Sequence, residues 1–159
     1  NIRSHTDTTL DIPTGVTVIT GPNGSGKTSI LEACIIALQG SSFKGSDTEV
    51  LRHAAPWWRI DIDTATEGTR MVTFDPARQT RRKQFTIDDA QSARLTPKHK
   101  YPVVLFEPDD LRLIHGSPSR RRDFFDRFIA QLNPLYASAV RKYERALKQR
   151  NTILKREYI

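Results

Sequence analysis

The sequence predicts an α/β fold with an antiparallel β-subdomain and a helical lobe towards its C-terminal end. Three observations predict it. A glycine-rich segment at residues 21–28 is followed directly by an apolar helical pattern. Residues 59–87 contain three short segments in which apolar side chains recur at every second position, as in strands that are buried on one face. From residue 117 onward the apolar period changes to 3.6, which is typical of helices.

Length and composition exclude several classes of protein. The chain has 159 residues and a single cysteine, Cys34, so no disulfide can form within it and a cytoplasmic location is expected. No segment approaches the roughly 18 consecutive apolar residues of a membrane span, and no signal-peptide pattern is visible. We therefore expect neither a membrane protein nor a secreted mini-protein. The chain starts at Asn1 and stops at Ile159 inside a helical pattern, so we expect it to belong to a longer protein.

Positive charge is concentrated in the second half of the chain. The formal net charge is +7, yet residues 1–79 carry seven basic and nine acidic side chains, whereas residues 80–159 carry 18 basic and nine acidic ones. A local excess of this kind indicates an anionic partner rather than a particular fold. Nucleic acid is such a partner, and a solvated charged face is the alternative.

The N-terminal third predicts two strands and one helix. Residues 8–12 and 16–20 are predicted as short strands on either side of a turn. Residues 29–39 are apolar on nearly every side, which predicts a buried helix, and Gly40 is placed to cap it in a left-handed conformation. Residues 41–49 are small and polar and are predicted as a loop.

The middle of the chain predicts an antiparallel meander. Its strands are expected at residues 59–63, 70–75 and 83–87, with turns at Glu67-Gly68 and Asp75-Pro76. Residues 103–106 form a continuous apolar run, which predicts a buried strand of a parallel sheet.

Two helices are predicted after this run. Ser117-Pro118 and Asn133-Pro134 each combine a capping residue with a proline at the first helical position. The second helix, residues 134–159, carries an apolar stripe on one side. The stripe consists of Tyr136, Val140, Tyr143, Leu147 and Leu154.

The segment at residues 21–28 carries the strongest chemical signal. It matches G-x-x-x-x-G-K-[ST] at every fixed position and lies between a predicted strand and a predicted helix. Glycines let backbone N–H groups turn inward around a phosphate, and a helix N-terminus adds partial positive charge. The pattern predicts the phosphate-binding loop of a P-loop nucleoside triphosphatase. The predicted cofactor-binding residues are Gly21, Pro22, Asn23, Gly24, Ser25, Gly26, Lys27 and Thr28.

Within this loop, two side chains have separate expected roles. Lys27 is expected to reach the β- and γ-phosphates of ATP, and the Thr28 hydroxyl is expected to ligate Mg²⁺. A second, carboxylate ligand normally follows an apolar strand. Glu107 and Asp109 follow such a run, and either they contribute that ligand or they are carboxylates of a turn. No catalytic residue is assigned.

Six segments are distinctive enough for comparison with known families. They are NIRSH at 1–5, the loop followed by SILEA, SFK at 42–44, FEPDDL at 106–111, GSPSRRR at 116–122 with Phe125-Asp126, and ALKQRN at 146–151. Together they resemble the start of the RecF family, bacterial DNA replication and repair proteins that are ABC-type ATPases related to the SMC proteins. The loop motif is shared by that whole superfamily, whereas the segments at 116–122 and 147–151 are more particular to RecF.

The resemblance implies half of an ABC-ATPase head, with an ATP-binding lobe at residues 1–115 and the start of a helical lobe at residues 116–159. It implies ATP and Mg²⁺ as cofactors, an ATP-dependent homodimer, and binding to single- or double-stranded DNA at gaps or forks. It also implies recombination-mediator proteins as partners in replication, recombinational repair and the SOS response, with recombinase loading as the outcome. It further places Arg3 near the nucleotide and makes Glu107 and Asp109 turn residues.

Three parts of the family pattern are expected elsewhere. The Asp-Glu strand motif, the signature motif and the D-loop lie in the C-terminal half of family members, and this sequence contains none of them. We therefore expect weak ATPase activity from a full-length dimer and almost none from residues 1–159 alone.

The DNA-contacting residues are predicted from the basic side of the last helix. They are Arg141, Arg145 and Lys148, which lie opposite the apolar stripe. Trp57 and Trp58 are interpreted as packing beside a strand, with base stacking as the alternative. The four histidines have no metal-ligand spacing. Cys34 is interpreted as a core residue.

Two alternative functions remain open from the sequence. The same loop serves small-molecule phosphotransferases, which would also need an acceptor pocket and a lid that closes over the phosphates. The chain also fits the head of another SMC-like ATPase, for which a long coiled coil would follow residue 159.

Overall fold

The computed structural model describes residues 1–64 and 68–156. The chain separates into two compact units, residues 1–100 and the residues from Tyr101 onward. The first unit contains α1 (Lys27–Gln39), α2 (Asp47–Val50), β1 (Trp58–Thr64), β2 (Gly68–Phe74), β3 (Lys83–Ile87), β4 (Ala90–Ser92) and a short 3₁₀ turn at Pro97–His99. The second contains a 3₁₀ turn at Pro108–Leu111, α3 (Arg112–His115), α4 (Pro118–Leu132) and α5 (Pro134–Arg156).

The four strands form one antiparallel sheet in the order β1-β2-β3-β4. Trp58 pairs with Phe74 across β1 and β2, and Val72 pairs with Phe85 across β2 and β3. These four side chains lie on one face and are buried against α1, where Ile36 is fully buried. The predicted meander is therefore confirmed. The predicted turn at Asp75-Pro76 is also present, while Glu67 lies outside the described residues.

The fourth strand was not expected from the sequence. Asp88 and Asp89 adopt positive φ angles of 47° and 63°, and they join β3 to β4 through a two-residue turn. Such a turn needs left-handed backbone at both central positions, which aspartate tolerates better than most residues. The Asp-Asp pair was the available signal, but three exposed residues in β4 are too few to show a clear alternation.

Helix α1 begins two residues earlier than predicted and ends at Gln39. The next residue, Gly40, has a φ of 90° and donates its N–H to the Ile36 carbonyl, which confirms the predicted left-handed cap. Its burial is only partial, because Leu31 is 46% exposed and Cys34 is half-buried. The prediction of a buried helix is therefore wrong for the exposed side of α1. The loop predicted at residues 41–49 also contains the start of α2, where Ser46 and Glu49 form a reciprocal capping box.

Three predicted strands are absent from the structure. Residues 8–12, 16–20 and 103–106 form no ladder, and apolar side chains among them are exposed, including Val16 at 92% and Phe106 at 63%. A strand forms only where a neighbouring backbone accepts and donates its hydrogen bonds. Within the described residues no strand pairs with these three segments. The prediction of a strand directly before the glycine-rich loop is therefore wrong.

The second unit confirms both predicted helix starts. The Ser117 hydroxyl accepts a hydrogen bond from the Arg120 N–H, and the Asn133 side chain accepts from the N–H groups of Leu135 and Tyr136. Helix α4 ends at Leu132 and α5 runs from Pro134 to Arg156. The Tyr136 hydroxyl donates to Asp126 over 2.5 Å and links the two helices across the corner.

Candidate functional site

The glycine-rich loop at residues 21–28 leads directly into the N-terminus of α1. Gly24 and Gly26 have φ angles of 81° and 91°, in the left-handed region that side chains other than glycine rarely adopt. The Ser25 N–H donates to the Pro22 carbonyl over 3.3 Å, which closes a turn inside the loop. Glycine is therefore needed at these positions for the loop to take this course.

Lys27 folds back over the loop. Its ammonium group donates hydrogen bonds to the carbonyl oxygens of Gly21 and Pro22, both at 2.7 Å. These two carbonyls belong to the first residues of the loop, so the Lys27 side chain spans it from end to start. An ammonium group held in this position supplies one full positive charge to the loop.

The helix that follows contributes further positive potential. Residues 27 to 30 lie at the N-terminus of α1, and of these the Ile30 N–H donates to the Gly26 carbonyl over 3.1 Å. The remaining N–H groups of the first turn have no partner within the helix, and they bear the positive end of its dipole. The Thr28 side chain lies in this first turn and is exposed. Its hydroxyl oxygen is a hard ligand of the type that Mg²⁺ prefers.

The glycine-rich loop also contacts the side chain of His5. His5 Nε2 lies 3.1 Å from the Gly26 carbonyl oxygen, and the Thr8 hydroxyl lies 3.2 Å from His5 Nδ1. A carbonyl only accepts hydrogen bonds, so Nε2 is the donor in this contact, and the Thr8 hydroxyl lies within hydrogen-bond distance of the other ring nitrogen. The sequence has no metal-ligand spacing at His5, and no pattern in it indicates this contact.

A buried carboxylate on α1 ties the N-terminal segment to the loop that follows the helix. Glu32 is 1% exposed, and it accepts two hydrogen bonds from the Arg3 guanidinium, each at 3.0 Å. It also accepts one from the Ser42 hydroxyl at 2.5 Å. Ser42 in turn accepts from the Lys44 and Gly45 N–H groups and orders that loop.

This network sets the protonation of Glu32. Burial alone would raise the pKa of Glu32, but the hydrogen bonds from Arg3 and Ser42 outweigh it and hold the pKa below its usual value. The bond to Glu32 correspondingly raises the pKa of Arg3. Arg3 is thus engaged by a carboxylate on α1 in this structure, and its predicted contact with a nucleotide stays a prediction. In the sequence, the sign of the Arg3–Glu32 pair was a lone glutamate inside an otherwise apolar helix.

The predicted DNA-contacting residues lie on α5, in the second unit. Arg141, Arg145 and Lys148 are all exposed. The neighbouring α4 begins with three arginines, of which Arg121 donates to the carbonyl oxygens of Leu113 and Gly116. Arg121 is therefore used to stabilise the turn before α4.

The remaining candidate ligands lie away from any cluster. Asp110 accepts the Glu107 N–H over 2.8 Å, and Asp109 lies 3.8 Å from Arg112, all within the 3₁₀ turn and α3. In the part of the chain that the structure describes, no group of three His, Cys, Asp or Glu side chains is arranged to hold a metal ion. Burial raises the pKa of the Cys34 thiol, so the thiol stays protonated at neutral pH.

Comparison with known proteins places the chain in a family. A family model described as an AAA domain matches residues 1–156. The chain belongs to the AAA domain family. This AAA domain is an ATPase-type fold whose α/β character and four-stranded antiparallel sheet agree with the coarse prediction. Among its described helices, none is long and apolar enough to cross a membrane.

The AAA domain is also similar to curated proteins named DNA replication and repair protein RecF. The relative from Heliobacterium modesticaldum is 30% identical, and those from Staphylococcus epidermidis and Staphylococcus aureus are both 33% identical. Each match covers 98% of this chain and 42% of the relative. The predicted resemblance to RecF is confirmed, and the chain spans about two fifths of the length of these curated relatives.

Proposed function

We propose that this chain forms the nucleotide-binding part of an ATP-dependent DNA-binding protein of replication and repair. The observation that carries the proposal is the position of the Lys27 ammonium, 2.7 Å from two carbonyl oxygens at the start of a glycine-rich loop. Together with the first turn of α1, this ammonium gives the loop the positive potential that a triphosphate requires.

The residues of the loop divide the work of binding ATP. Lys27 exchanges its carbonyl acceptors for phosphate oxygens, which are stronger acceptors because they are charged. The N–H groups of residues 27 and 28 belong to the first turn of α1, where the positive end of the helix dipole lies. Thr28 provides one oxygen ligand for Mg²⁺, and this fits an ion that keeps several waters and also binds phosphate oxygens. When bound, Mg²⁺ neutralises charge that develops on the phosphates.

The proposed head extends beyond the two units of this chain. Residues 16–20 and 103–106 keep a strand-like sequence but expose Val16, Val18, Val104 and Phe106. Exposed apolar side chains of this kind support an ABC-type head in which further strands complete a sheet. The proposed lobes are residues 1–115 and 116–159.

DNA binding is proposed for the basic side of α5. Arg141, Arg145 and Lys148 are exposed cations on one helix, and each cation that contacts a phosphate releases a counterion from DNA. The names of the RecF relatives support DNA as the partner. We further propose an ATP-dependent homodimer that acts in the cytoplasm with recombination-mediator proteins, in recombinational repair and the SOS response.

The test is the binding of a fluorescent ATP analogue with Mg²⁺ to the full-length protein. Lys27→Ala removes the ammonium from the loop and is expected to weaken binding at least tenfold and to abolish nucleotide-dependent dimerisation, measured by analytical ultracentrifugation. Lys98→Ala is the matched control, because Lys98 is an exposed lysine outside the loop. Equal affinity of the two variants for the analogue would contradict the proposed nucleotide site.

A further inference from the structure

Two adjacent tryptophans have different environments in the structure. Trp58 is fully buried, stacks on Phe74 with ring centroids 5.7 Å apart, and donates its indole N–H to the Asp47 carbonyl. The packing interpretation is therefore confirmed for Trp58. Trp57 is 44% exposed. Its carbonyl accepts a hydrogen bond from the Asn1 side chain over 3.2 Å, so its backbone is fixed beside β1. An exposed, fixed tryptophan needs a separate explanation.

Trp57 lines a groove on the outer face of the sheet. The groove is also lined by Arg59, Thr73, Phe74, Asp75 and Arg78, and its volume is about 240 Å³. That is below the roughly 300–1,000 Å³ of an enclosed small-molecule site. A groove of this size has room for one flat ring beside the indole.

Two arginines, Arg59 and Arg78, line the groove, and two more follow in the adjoining loop. The residues from β2 to β3 include Arg78, Arg81 and Arg82, all exposed, and Arg59 lies across from Thr73 on the neighbouring strand. The backbone of this loop is held in place, because Asp75 N–H donates to the Arg82 carbonyl over 2.8 Å. The loop therefore presents its cations from a fixed frame.

A carboxylate lies beside each of the two arginines that line the groove. Arg59 Nε lies 2.8 Å from Asp61 Oδ2, and Arg78 lies 3.3 Å from Asp75 and 2.7 Å from the Gln84 side chain. The two arginines that line the groove are thus paired with carboxylates, whereas Arg81 and Arg82 are exposed later in the same loop and add two further positive charges. The loop between β2 and β3 therefore carries an excess of positive charge, and with the exposed indole it suits an anionic ligand that has an aromatic ring.

We propose that this groove binds an unpaired base of single-stranded DNA, with the ring stacked on Trp57 and the adjoining phosphates on Arg78, Arg81 and Arg82. Bases within a duplex are already stacked on their neighbours, so only an unpaired base is free to stack on an indole. A free mononucleotide would occupy one arginine, whereas cations spread along a loop match the repeated phosphates of a strand.

The choice of DNA as the strand rests on the proposed function, but the groove and the basic side of α5 are formed by different residues. It lies entirely within residues 1–100, whereas α5 belongs to the second unit. The proposal therefore assigns an unpaired strand to the first unit and leaves duplex contacts to α5. Gapped DNA presents both kinds of structure to one protein.

The test compares Trp57→Ala and Trp57→Phe in the full-length protein, with a fluorescently labelled oligo-dT and a blunt duplex of equal length as probes. Stacking of one base contributes enough that Trp57→Ala should weaken oligo-dT binding about 5- to 100-fold. Trp57→Phe keeps an aromatic face and should restore most of the affinity. The affinity for the duplex should change less than twofold in both variants.

Intrinsic fluorescence gives a second readout. Oligo-dT should quench the emission of the wild-type protein, because Trp57 is exposed and stacks, and this quenching should be absent in Trp57→Phe. Trp58 remains in both proteins as the buried reference. Arg81→Gln with Arg82→Gln should lower the salt dependence of oligo-dT binding by about one to two phosphate contacts.

The outcomes separate this inference from the proposed function. If Trp57→Ala binds oligo-dT as tightly as wild type, or loses oligo-dT and duplex affinity equally, the stacking site is wrong while DNA binding stands. If the wild-type protein binds neither probe, both the DNA-binding function and this inference are wrong.

Discussion

His5 Nε2 donates a hydrogen bond to the carbonyl oxygen of Gly26 over 3.1 Å, and this bond orients the peptide group that joins Gly26 to Lys27. The C=O and N–H groups of a trans peptide point in opposite directions. Because the Gly26 carbonyl faces the His5 ring and the Ile30 N–H, the Lys27 N–H faces away from both. The His5 side chain therefore contributes to the direction in which this loop presents a donor.

The first prediction concerns the donor on His5. His5→Leu removes it, and we expect the affinity for an ATP analogue to fall about 2- to 10-fold, the worth of one hydrogen bond. His5→Gln retains an N–H at a similar distance from the backbone and should restore most of the affinity. Isothermal titration of the two variants checks this, and equal affinities for both would show that the bond has no part in binding.

The second prediction compares two glycines of the loop. A Cβ at Gly26 would lie closer than 3.0 Å to the His5 ring and the Ser4 hydroxyl, whereas a Cβ at Gly24 meets no atom within 4 Å. Both positions have positive φ, so either alanine costs about 1–2 kcal/mol of backbone strain. Gly26→Ala should therefore lower the free energy of unfolding by more than Gly24→Ala, as measured by urea denaturation. Equal losses would mean that the N-terminal segment yields without cost.

The third prediction follows from the lowered pKa of Glu32. A carboxyl whose pKa is lower in the folded state stabilises that state above its unfolded pKa, near 4.5, and this stabilisation is lost as the pH falls through the folded pKa. Removing one partner of a fully buried ion pair lowers the free energy of unfolding by about 3–5 kcal/mol. Because the Arg3 side chain is 32% exposed, we expect a smaller loss for Glu32→Gln, about 1–3 kcal/mol at pH 7.

Thermal unfolding from pH 3 to pH 7 tests this dependence. The difference between wild type and Glu32→Gln should be constant above about pH 5.5 and should shrink below pH 4.5. Asp11→Asn, at an exposed carboxylate, is the control for the loss of one negative charge. A difference that is the same at pH 3 and pH 7 would contradict the role of the ionised Glu32.

The fourth prediction concerns α5. Replacing Arg141, Arg145 and Lys148 by glutamine should reduce the slope of log affinity for duplex DNA against log salt by up to about three units, because each contact with a phosphate contributes about 0.9. Arg94, Lys98 and Lys100 are exposed outside α5 and serve as the charge-matched triple control. Unchanged slopes in the α5 variant would exclude this face from DNA contact.

Local patterns were predictable from the sequence where neighbours in the chain supply the partners. The meander strands pair with strands only a few residues away, and the caps at Ser117 and Asn133 bind N–H groups two or three positions later. The capping box at Ser46 and Glu49 was as local, but a four-residue helix leaves no apolar period to detect.

Predictions that needed distant partners fared worse. Residues 16–20 and 103–106 have strand composition, yet composition does not supply the backbone against which a strand pairs. The Arg3–Glu32 and His5–Gly26 contacts join residues 29 and 21 positions apart, and no spacing rule relates them. The glycine-rich loop was identified because its chemistry is confined to eight consecutive residues.

The hydrogen bond between Tyr136 and Asp126 has a mechanical consequence. It crosses the corner at Asn133-Pro134, where no helical ladder continues, and so resists opening of the angle between α4 and α5. Hinge motion at Pro134 therefore requires this side-chain hydrogen bond to break as well as the backbone to bend.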